Sequence, residues 1–213
     1  MNDVDRSRRF RAPLAIAAAG IVALLVLISG FFLVKGLSYN PTSPEAVATD
    51  GGTELDTDSI TIVGDSVTVA SRTALTMAFP EAAISAEVGT QLHDAPDVLE
   101  EIESSKGLGT TVVLALGTNG SGKASDLDDV LQIIGQDRLL VLVTPHGDRD
   151  WIAGVGELYQ EYSEQHSDQV VVADWDAASP QVKDFADDGI HPGPQGGQIL
   201  AQTISDAIDT AGR

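Results

Sequence analysis

The sequence predicts a three-layer α/β/α domain built on a parallel five-stranded sheet and preceded by one transmembrane helix. From Ser59 onward, short apolar β-prone runs alternate with helix-like stretches, a pattern typical of a parallel sheet covered by helices on both faces. Several of the apolar runs end at a glycine followed by polar residues. Before the domain, Leu14 to Val34 form an apolar stretch long enough to cross the hydrocarbon core of a bilayer as a helix.

The predicted strands are short and rich in Val, Ile and Leu, as expected of strands buried inside an α/β protein. They are approximately 60–63, 83–88, 111–116, 139–143 and 170–173. Helices are predicted between and after them, at about 66–77, 94–103, 124–134, 150–165 and 195–211. The third helix has the clearest pattern, because Leu127, Val130 and Ile134 share one face and Gly135 ends it. This order of elements is that of a flavodoxin-like fold.

The residues before the domain predict a membrane anchor and a tether. We expect a short cytoplasmic N-terminus at 1–12, a transmembrane signal anchor at 13–35, a flexible linker at 36–58 and the folded domain at 59–213. Four arginines precede the span and only Lys35 follows it directly, so the positive-inside rule places the domain on the extracytoplasmic side of the cell membrane. The alternative is a cleaved signal peptide, since Ala46-Val47-Ala48 has the small-x-small shape of a cleavage site. The domain is exported in both cases.

The net charge of the chain limits the classes of molecule that it is expected to bind. With 12 basic and 32 acidic residues it carries a formal net charge of −20, and five of the basic residues lie at or before Lys35. So acidic a domain is repelled by nucleic acid and by anionic headgroups, whereas neutral or amphoteric glycans and small esters remain open as substrates. The acidic residues also keep an exported domain soluble. No cysteine is present, which excludes disulfides and thiolate chemistry.

The first strand delivers a serine to the edge of the predicted sheet, in Gly64-Asp65-Ser66. In open α/β sheets the ligand crevice lies outside the carboxyl ends of the strands. Ser66 would begin the following helix, where its own N–H is unpaired and free to face an oxyanion. The alternative is that Ser66 only caps this helix. The stretch is not a G-x-S-x-G nucleophile elbow, because Val67 and Thr68 follow the serine.

A histidine near the other end of the chain would activate that serine. A serine hydroxyl needs an imidazole to take its proton, and a carboxylate usually orients the imidazole. In the Gly/Pro-bounded segment Asp188-Gly189-Ile190-His191, the carboxylate can fold back onto Nδ1 of the ring and leave Nε2 facing outward. The alternative is a surface loop with a chance histidine.

Two further strand ends offer donors for a developing oxyanion. Asn119 follows the third strand and can present its side-chain amide, a type of donor that contributes about 3 kcal/mol to transition-state stabilisation. Gly89 follows the second strand and could present its backbone N–H, although a simple turn is the alternative there.

Taken in order, these blocks resemble the four sequence blocks of the SGNH (GDSL) hydrolase family. The blocks are Gly64-Asp65-Ser66, Gly89, Gly117-Thr118-Asn119 and Asp188-Gly189-Ile190-His191, and the likeness extends from about Ser59 to the C-terminus. More narrowly, the sequence resembles the extracytoplasmic SGNH domain of bacterial peptidoglycan O-acetyltransferases. The stretches that carry this narrower likeness are Leu116 to Gly120, Val143-Thr144-Pro145-His146, Ala173-Asp174-Trp175 and again Asp188 to His191.

The resemblance implies a membrane-anchored serine esterase or O-acyltransferase that acts on acetyl esters of cell-wall glycans. Ser66 would be the nucleophile, His191 the general base and Asp188 its orienting carboxylate. Ser66 N–H, Gly89 N–H and Asn119 would form the oxyanion hole. No cofactor is required. In the related proteins a multi-pass membrane acyltransferase commonly precedes this domain, so here a separate multi-pass protein would supply the acetyl group. The alternative function is a non-catalytic, membrane-tethered glycan-binding domain or pseudoenzyme.

The remaining histidines and the tryptophans have simpler interpretations. His93 and His166 lie at predicted helix ends and are expected to be solvated. His146 follows the fourth strand near the proposed crevice, where it could line the substrate site or support it structurally. Trp151 and Trp175 are expected to pack in or around the core. The histidine spacing predicts no metal site.

Overall fold

The structure, a computed structural model, describes residues 60–212 and confirms the predicted α/β/α fold. Its five strands all pair in parallel, in the order β2-β1-β3-β4-β5. They are β1 (Ile60–Gly64), β2 (Ala83–Ala86), β3 (Thr111–Ala115), β4 (Leu139–Val143) and β5 (Val170–Ala173). The carboxyl ends of all the strands therefore meet at one edge of the sheet.

The helices follow the predicted positions, with one addition. They are α1 (Ser66–Ala78), α2 (Ala95–Lys106), α3 (Ala124–Ile134), α4 (Ile152–Gln165), α5 (Trp175–Ala178) and α6 (Pro194–Ala211). The short helix α5, directly after β5, was not predicted because four residues carry no helical periodicity. Strand β2 also ends two residues earlier than predicted. Its partner β1 ends at Gly64, which pairs with Ala86, so Glu87 and Val88 have no strand to continue along.

Two apolar cores hold the helices against the sheet, one on each face. Helices α1 and α6 cover one face, where Leu75 and Ile204 belong to the same buried cluster as Ile62 of β1. Helices α2, α3 and α4 cover the other face, where Leu99 and Leu127 belong to the same cluster as residues of β1 and β3. Neighbouring residues of β1 point to opposite cores, as the pleat of a strand requires. The Ser66 end of α1 is thereby fixed against the sheet edge.

Between residues 60 and 212 no helix combines the length and the apolar character needed to cross a bilayer. The predicted transmembrane helix at 13–35, the linker at 36–58 and the alternative cleavage site at Ala46-Val47-Ala48 lie outside the described residues. These parts of the domain organisation stay predictions.

Candidate active site

The turn between β1 and α1 presents Ser66 at the sheet edge. Asp65 is the N-cap of α1, and its Oδ1 accepts a hydrogen bond of 2.9 Å from Val67 N–H. Ser66 is thus the first residue of the helix rather than its cap, and its own N–H has no acceptor within the helix. A Cβ at Gly64 would overlap the Thr68 side chain, so the close approach of strand and helix requires glycine. The capping interpretation of Ser66 applies to Asp65 instead.

His191 lies within hydrogen-bond distance of the serine. Its Nε2 is 2.8 Å from Ser66 Oγ, and its Nδ1 is 2.7 Å from Asp188 Oδ2. A carboxylate can only accept, so Nδ1 carries the proton and Nε2 is left to accept the serine hydroxyl proton. The three side chains form one continuous hydrogen-bonded chain between residues 125 positions apart.

The Asp188 carboxylate is fixed by its own loop. Its Oδ1 accepts from the backbone N–H groups of Ile190 and His191 at 2.9 and 3.1 Å, around a turn in which Gly189 has a φ of 68°. The hydrogen bond to His191, together with these two N–H groups, holds the pKa of Asp188 well below its usual range. Asp188 therefore remains a carboxylate at any pH at which His191 acts as a base.

The segment that carries the histidine, residues 184–193, is closed by its own backbone. Ala186 N–H donates to the His191 carbonyl and Gly193 N–H to the Asp184 carbonyl, both at 2.8 Å, and Phe185 pairs with Pro192. The Asp184 carboxylate then caps α6, accepting from Gln195 N–H at 2.7 Å and Gly196 N–H at 2.8 Å. Sequence reasoning missed Asp184, because it caps a helix that begins ten residues later. We call residues 184–193 the catalytic loop.

The predicted oxyanion donors follow β2 and β3 at the same edge. Asn119 Nδ2 donates to the Thr90 carbonyl at 3.2 Å, which orients the amide and leaves its second N–H available. Gly89, with a φ of 91°, lies in the turn after β2, and this turn is joined to β1 by a bond of 3.2 Å from Glu87 N–H to the Gly64 carbonyl. The structure thus brings the loops of both residues to the edge that carries Ser66. Their roles as donors to an oxyanion stay predictions.

The residue before the serine carries a buried carboxyl group. Asp65 is fully buried, and its Oδ2 has no hydrogen-bond partner among residues 60–212. Burial raises the pKa of Asp65 above its ordinary value of 3.8, with opposing effects from Val67 N–H, from the neighbouring Thr118 and from the charge of His191. Asp65 is consequently a titrating group inside the fold.

The raised pKa predicts a pH dependence of stability. Between 3.8 and the raised pKa the native state binds more protons than the unfolded state, so stability falls as pH rises through this window. Asp65→Asn keeps an oxygen for Val67 N–H but does not titrate. We therefore expect the melting temperature of the wild type to fall more steeply with rising pH than that of the variant. Thermal unfolding of both proteins at several pH values from 4 to 7 measures this, and parallel curves would contradict it.

The other singled-out side chains form no hydrogen bond with Ser66, Asp188 or His191 within the described residues. His93 is exposed and close to Asp94 in a single turn before α2, and His166 caps the end of α4 against Tyr162. Trp175 is buried, and Trp151 packs against the second core. His146 contacts Asp176 and Phe185 beside the catalytic loop. Within the described residues no three His, Cys, Asp or Glu side chains form a group that could hold a metal ion.

Known O-acetyltransferases resemble this chain in sequence and in structure. No protein-family model matches the chain. The O-acetyltransferase OatA of Staphylococcus aureus is 32% identical over 150 residues, which cover 70% of this chain and 25% of that protein. The structure of the C-terminal catalytic domain of the peptidoglycan O-acetyltransferase OatA from Streptococcus pneumoniae matches with a TM-score of 0.65 and 28% identity, covering 73% of this chain and 94% of that one.

A more distant structure shares the fold alone. It is a member of the lipolytic protein G-D-S-L family from Veillonella parvula, with a TM-score of 0.56 and 14% identity over 69% of this chain and 96% of that one. The chain spans about a quarter of the length of the curated relatives that it matches. We conclude that this chain is similar to the catalytic domain of peptidoglycan O-acetyltransferases and has the α/β fold of the SGNH (GDSL) hydrolases.

Proposed function

We propose that the protein is a membrane-anchored, extracytoplasmic serine esterase or O-acetyltransferase that acts on acetyl esters of cell-wall glycans. One observation carries the proposal: Ser66 Oγ, His191 and Asp188 are joined by hydrogen bonds of 2.8 and 2.7 Å. A serine in this arrangement is activated for nucleophilic attack, because the imidazole takes its proton as the new bond forms.

The geometry supports a two-step acyl transfer. Ser66 Oγ attacks the ester carbonyl while its proton moves to His191 Nε2, and the oxyanion is stabilised by Ser66 N–H, Gly89 N–H and Asn119. The tetrahedral intermediate then expels the alcohol, which takes the proton from His191, and an acyl-serine remains. Water or a sugar hydroxyl attacks the acyl-serine in the second step, with His191 again accepting the proton. The second tetrahedral intermediate then breaks its bond to Ser66 Oγ, which takes the proton back from His191, and the acid or the acylated sugar leaves. The Asp188 carboxylate stabilises the imidazolium ion that forms in each step.

The names of the relatives support an acetyl group as the group transferred and peptidoglycan as the substrate. The curated relatives are named O-acetyltransferases, and one from Bacillus subtilis is named a peptidoglycan O-acetyltransferase. The Streptococcus pneumoniae catalytic domain was solved with a methylsulfonyl adduct. The acidic composition of this chain agrees with a neutral or amphoteric glycan rather than a polyanion.

The proposal is tested with the full chain, purified in detergent, and 4-nitrophenyl acetate as acetyl donor. We expect release of 4-nitrophenol without any added metal or cofactor. Addition of an N-acetylglucosamine oligomer then separates the two activities, since a transferase produces acetylated oligomer and an esterase produces only acetate. Absence of 4-nitrophenol release from a folded protein would favour the alternative function, a glycan-binding domain without catalysis.

Anchoring and acetyl supply are part of the same proposal. The apolar stretch Leu14 to Val34 and the preceding arginines support a single span with the domain outside the cell membrane. In that position a transferase depends on a multi-pass membrane protein to deliver acetyl groups across the bilayer. Cell fractionation tests the anchor, because a cleaved signal peptide would leave the domain free of the membrane. Transfer to glycan by the chain alone in reconstituted vesicles supplied with an acetyl donor on the inner side would remove the need for a partner.

A further inference from the structure

A second imidazole–carboxylate pair lies at the sheet edge that carries Ser66. His146 follows β4, and its Nδ1 is 2.6 Å from Oδ1 of Asp176 in α5. The His146 side chain is 27% exposed, so the pair is reached by solvent. Neither residue takes part in the acyl-serine chemistry described above.

The pair is held in place from both sides. Asp176 N–H donates to Thr144 Oγ1 at 3.0 Å, and Thr144 Oγ1 donates to Asp174 Oδ1 at 3.0 Å, which fixes the start of α5 against the end of β4. On its other side the His146 ring stacks on Phe185 of the catalytic loop, with ring centroids 5.3 Å apart and planes inclined by 29°. The imidazole therefore has one preferred orientation.

This orientation leaves one ring nitrogen for a ligand. The Asp176 carboxylate accepts from Nδ1–H, so in the neutral ring Nε2 carries a lone pair. Nε2 has no hydrogen-bond partner among residues 60–212. Nε2 is thus a partly exposed acceptor with a fixed direction, to which a hydroxyl group of a ligand can donate a hydrogen bond. An anionic ligand is disfavoured, because the Asp176 carboxylate lies against the ring.

The second pair also lies close to the first. A Cβ added at Gly147 would be 2.7 Å from Ile190 Cγ1, so the residue after His146 contacts the residue before His191. Phe185, on which His146 stacks, pairs with Pro192, the residue after His191. Strand β4 is separated from β1 by β3, a distance of about 10 Å along the sheet edge. A saccharide that reacts at Ser66 and extends along this edge reaches His146 within one or two sugar rings.

We infer that His146, oriented by Asp176, binds a hydroxyl group of a neutral saccharide whose reacting end lies at Ser66. The inference rests on the proposed function, since it extends the same site by a saccharide subsite. It assigns His146 a contact with the ligand and Asp176 the role of a positioning residue.

Binding of an N-acetylglucosamine tetramer to the full chain in detergent tests this directly. We expect His146→Ala to raise the dissociation constant about tenfold, since one hydrogen bond from a hydroxyl group of the saccharide is lost. His146→Gln, which keeps an acceptor on a side chain of similar reach, should recover part of the affinity, and Asp176→Asn should weaken binding less than His146→Ala. His93→Ala is the matched control, because His93 also lies beside an aspartate at 3.4 Å but in the turn before α2. It should leave the dissociation constant unchanged.

Two outcomes would overturn the inference. If His146→Ala and His146→Gln bind the tetramer as tightly as the wild type, His146 does not contact the saccharide. If these variants slow 4-nitrophenol release but keep the same dissociation constant, His146 only supports the catalytic loop. Failure of the proposed function has a different signature, since it is the absence of 4-nitrophenol release from the wild type at any tetramer concentration.

Discussion

Ser66→Ala is expected to lower the rate of 4-nitrophenyl acetate hydrolysis by at least about 10⁴-fold, because alanine has no hydroxyl with which to form the acyl-enzyme. The binding of a saccharide should be little affected, since the serine is 9% exposed and its proposed role lies in the chemical step. Stopped-flow measurement of 4-nitrophenol release under single-turnover conditions, with enzyme in excess, gives the rate of the chemical step directly. A variant that retains a rate within tenfold of the wild type would show that another group is the nucleophile.

Two comparisons make this result specific. Ser71→Ala is the matched control, because Ser71 lies on the same helix and its buried Oγ has no hydrogen-bond partner within the described part of the chain. Its activity should remain close to that of the wild type. His191→Ala should lose nearly as much activity as Ser66→Ala, and the double variant should be no slower than either single variant. Residues that act as one unit are not additive, because removing either partner already abolishes the common step.

The local features of the fold could be predicted from the sequence, because each depends on neighbouring residues. The apolar run at 60–63 indicates a buried strand, and the spacing of Leu127, Val130 and Ile134 indicates a helix with one buried face. Asp188 and His191 are three residues apart, so a hydrogen bond between them could be expected from chain geometry alone. The long-range approach of Ser66 to His191 was predicted from the chemistry of the two side chains and from the family resemblance, because no local pattern indicates it.

The features that the sequence did not predict depend on strand order and register. His146 pairs with Asp176 because β4 and β5 are neighbours in the sheet. No local sequence pattern predicts that these two strands are adjacent. Strand β2 ends at Ala86 because of its register with β1, although the apolar pattern continues to Val88. The capping of α6 by Asp184 likewise requires the backbone pairing within the catalytic loop. Contacts of this kind need the three-dimensional arrangement.

Asn119→Ala is expected to lower kcat for ester hydrolysis by about 10² to 10³-fold with little change in KM. In its predicted role the amide donates to an oxygen that becomes negative only in the transition state, so its loss should affect the chemical step rather than the binding of the ester. Asn119 Nδ2 also donates to the Thr90 carbonyl at 3.2 Å, so the variant could instead disturb the loop after β2. Steady-state kinetics with a thermal unfolding curve of the same sample separates these effects. A raised KM at unchanged kcat would place Asn119 in substrate binding.

The residual activity of this variant reports on the backbone donors. Ser66 N–H and Gly89 N–H cannot be removed by a side-chain substitution, and both remain in Asn119→Ala. The variant should therefore remain faster than Ser66→Ala, in the order wild type, Asn119→Ala, Ser66→Ala. If Asn119→Ala were as slow as Ser66→Ala, the two backbone groups would contribute nothing measurable on their own, and the assignment of Gly89 to the oxyanion hole would have to be abandoned. A clear gap between the two variants, at equal stability, is the result that the three-donor arrangement requires.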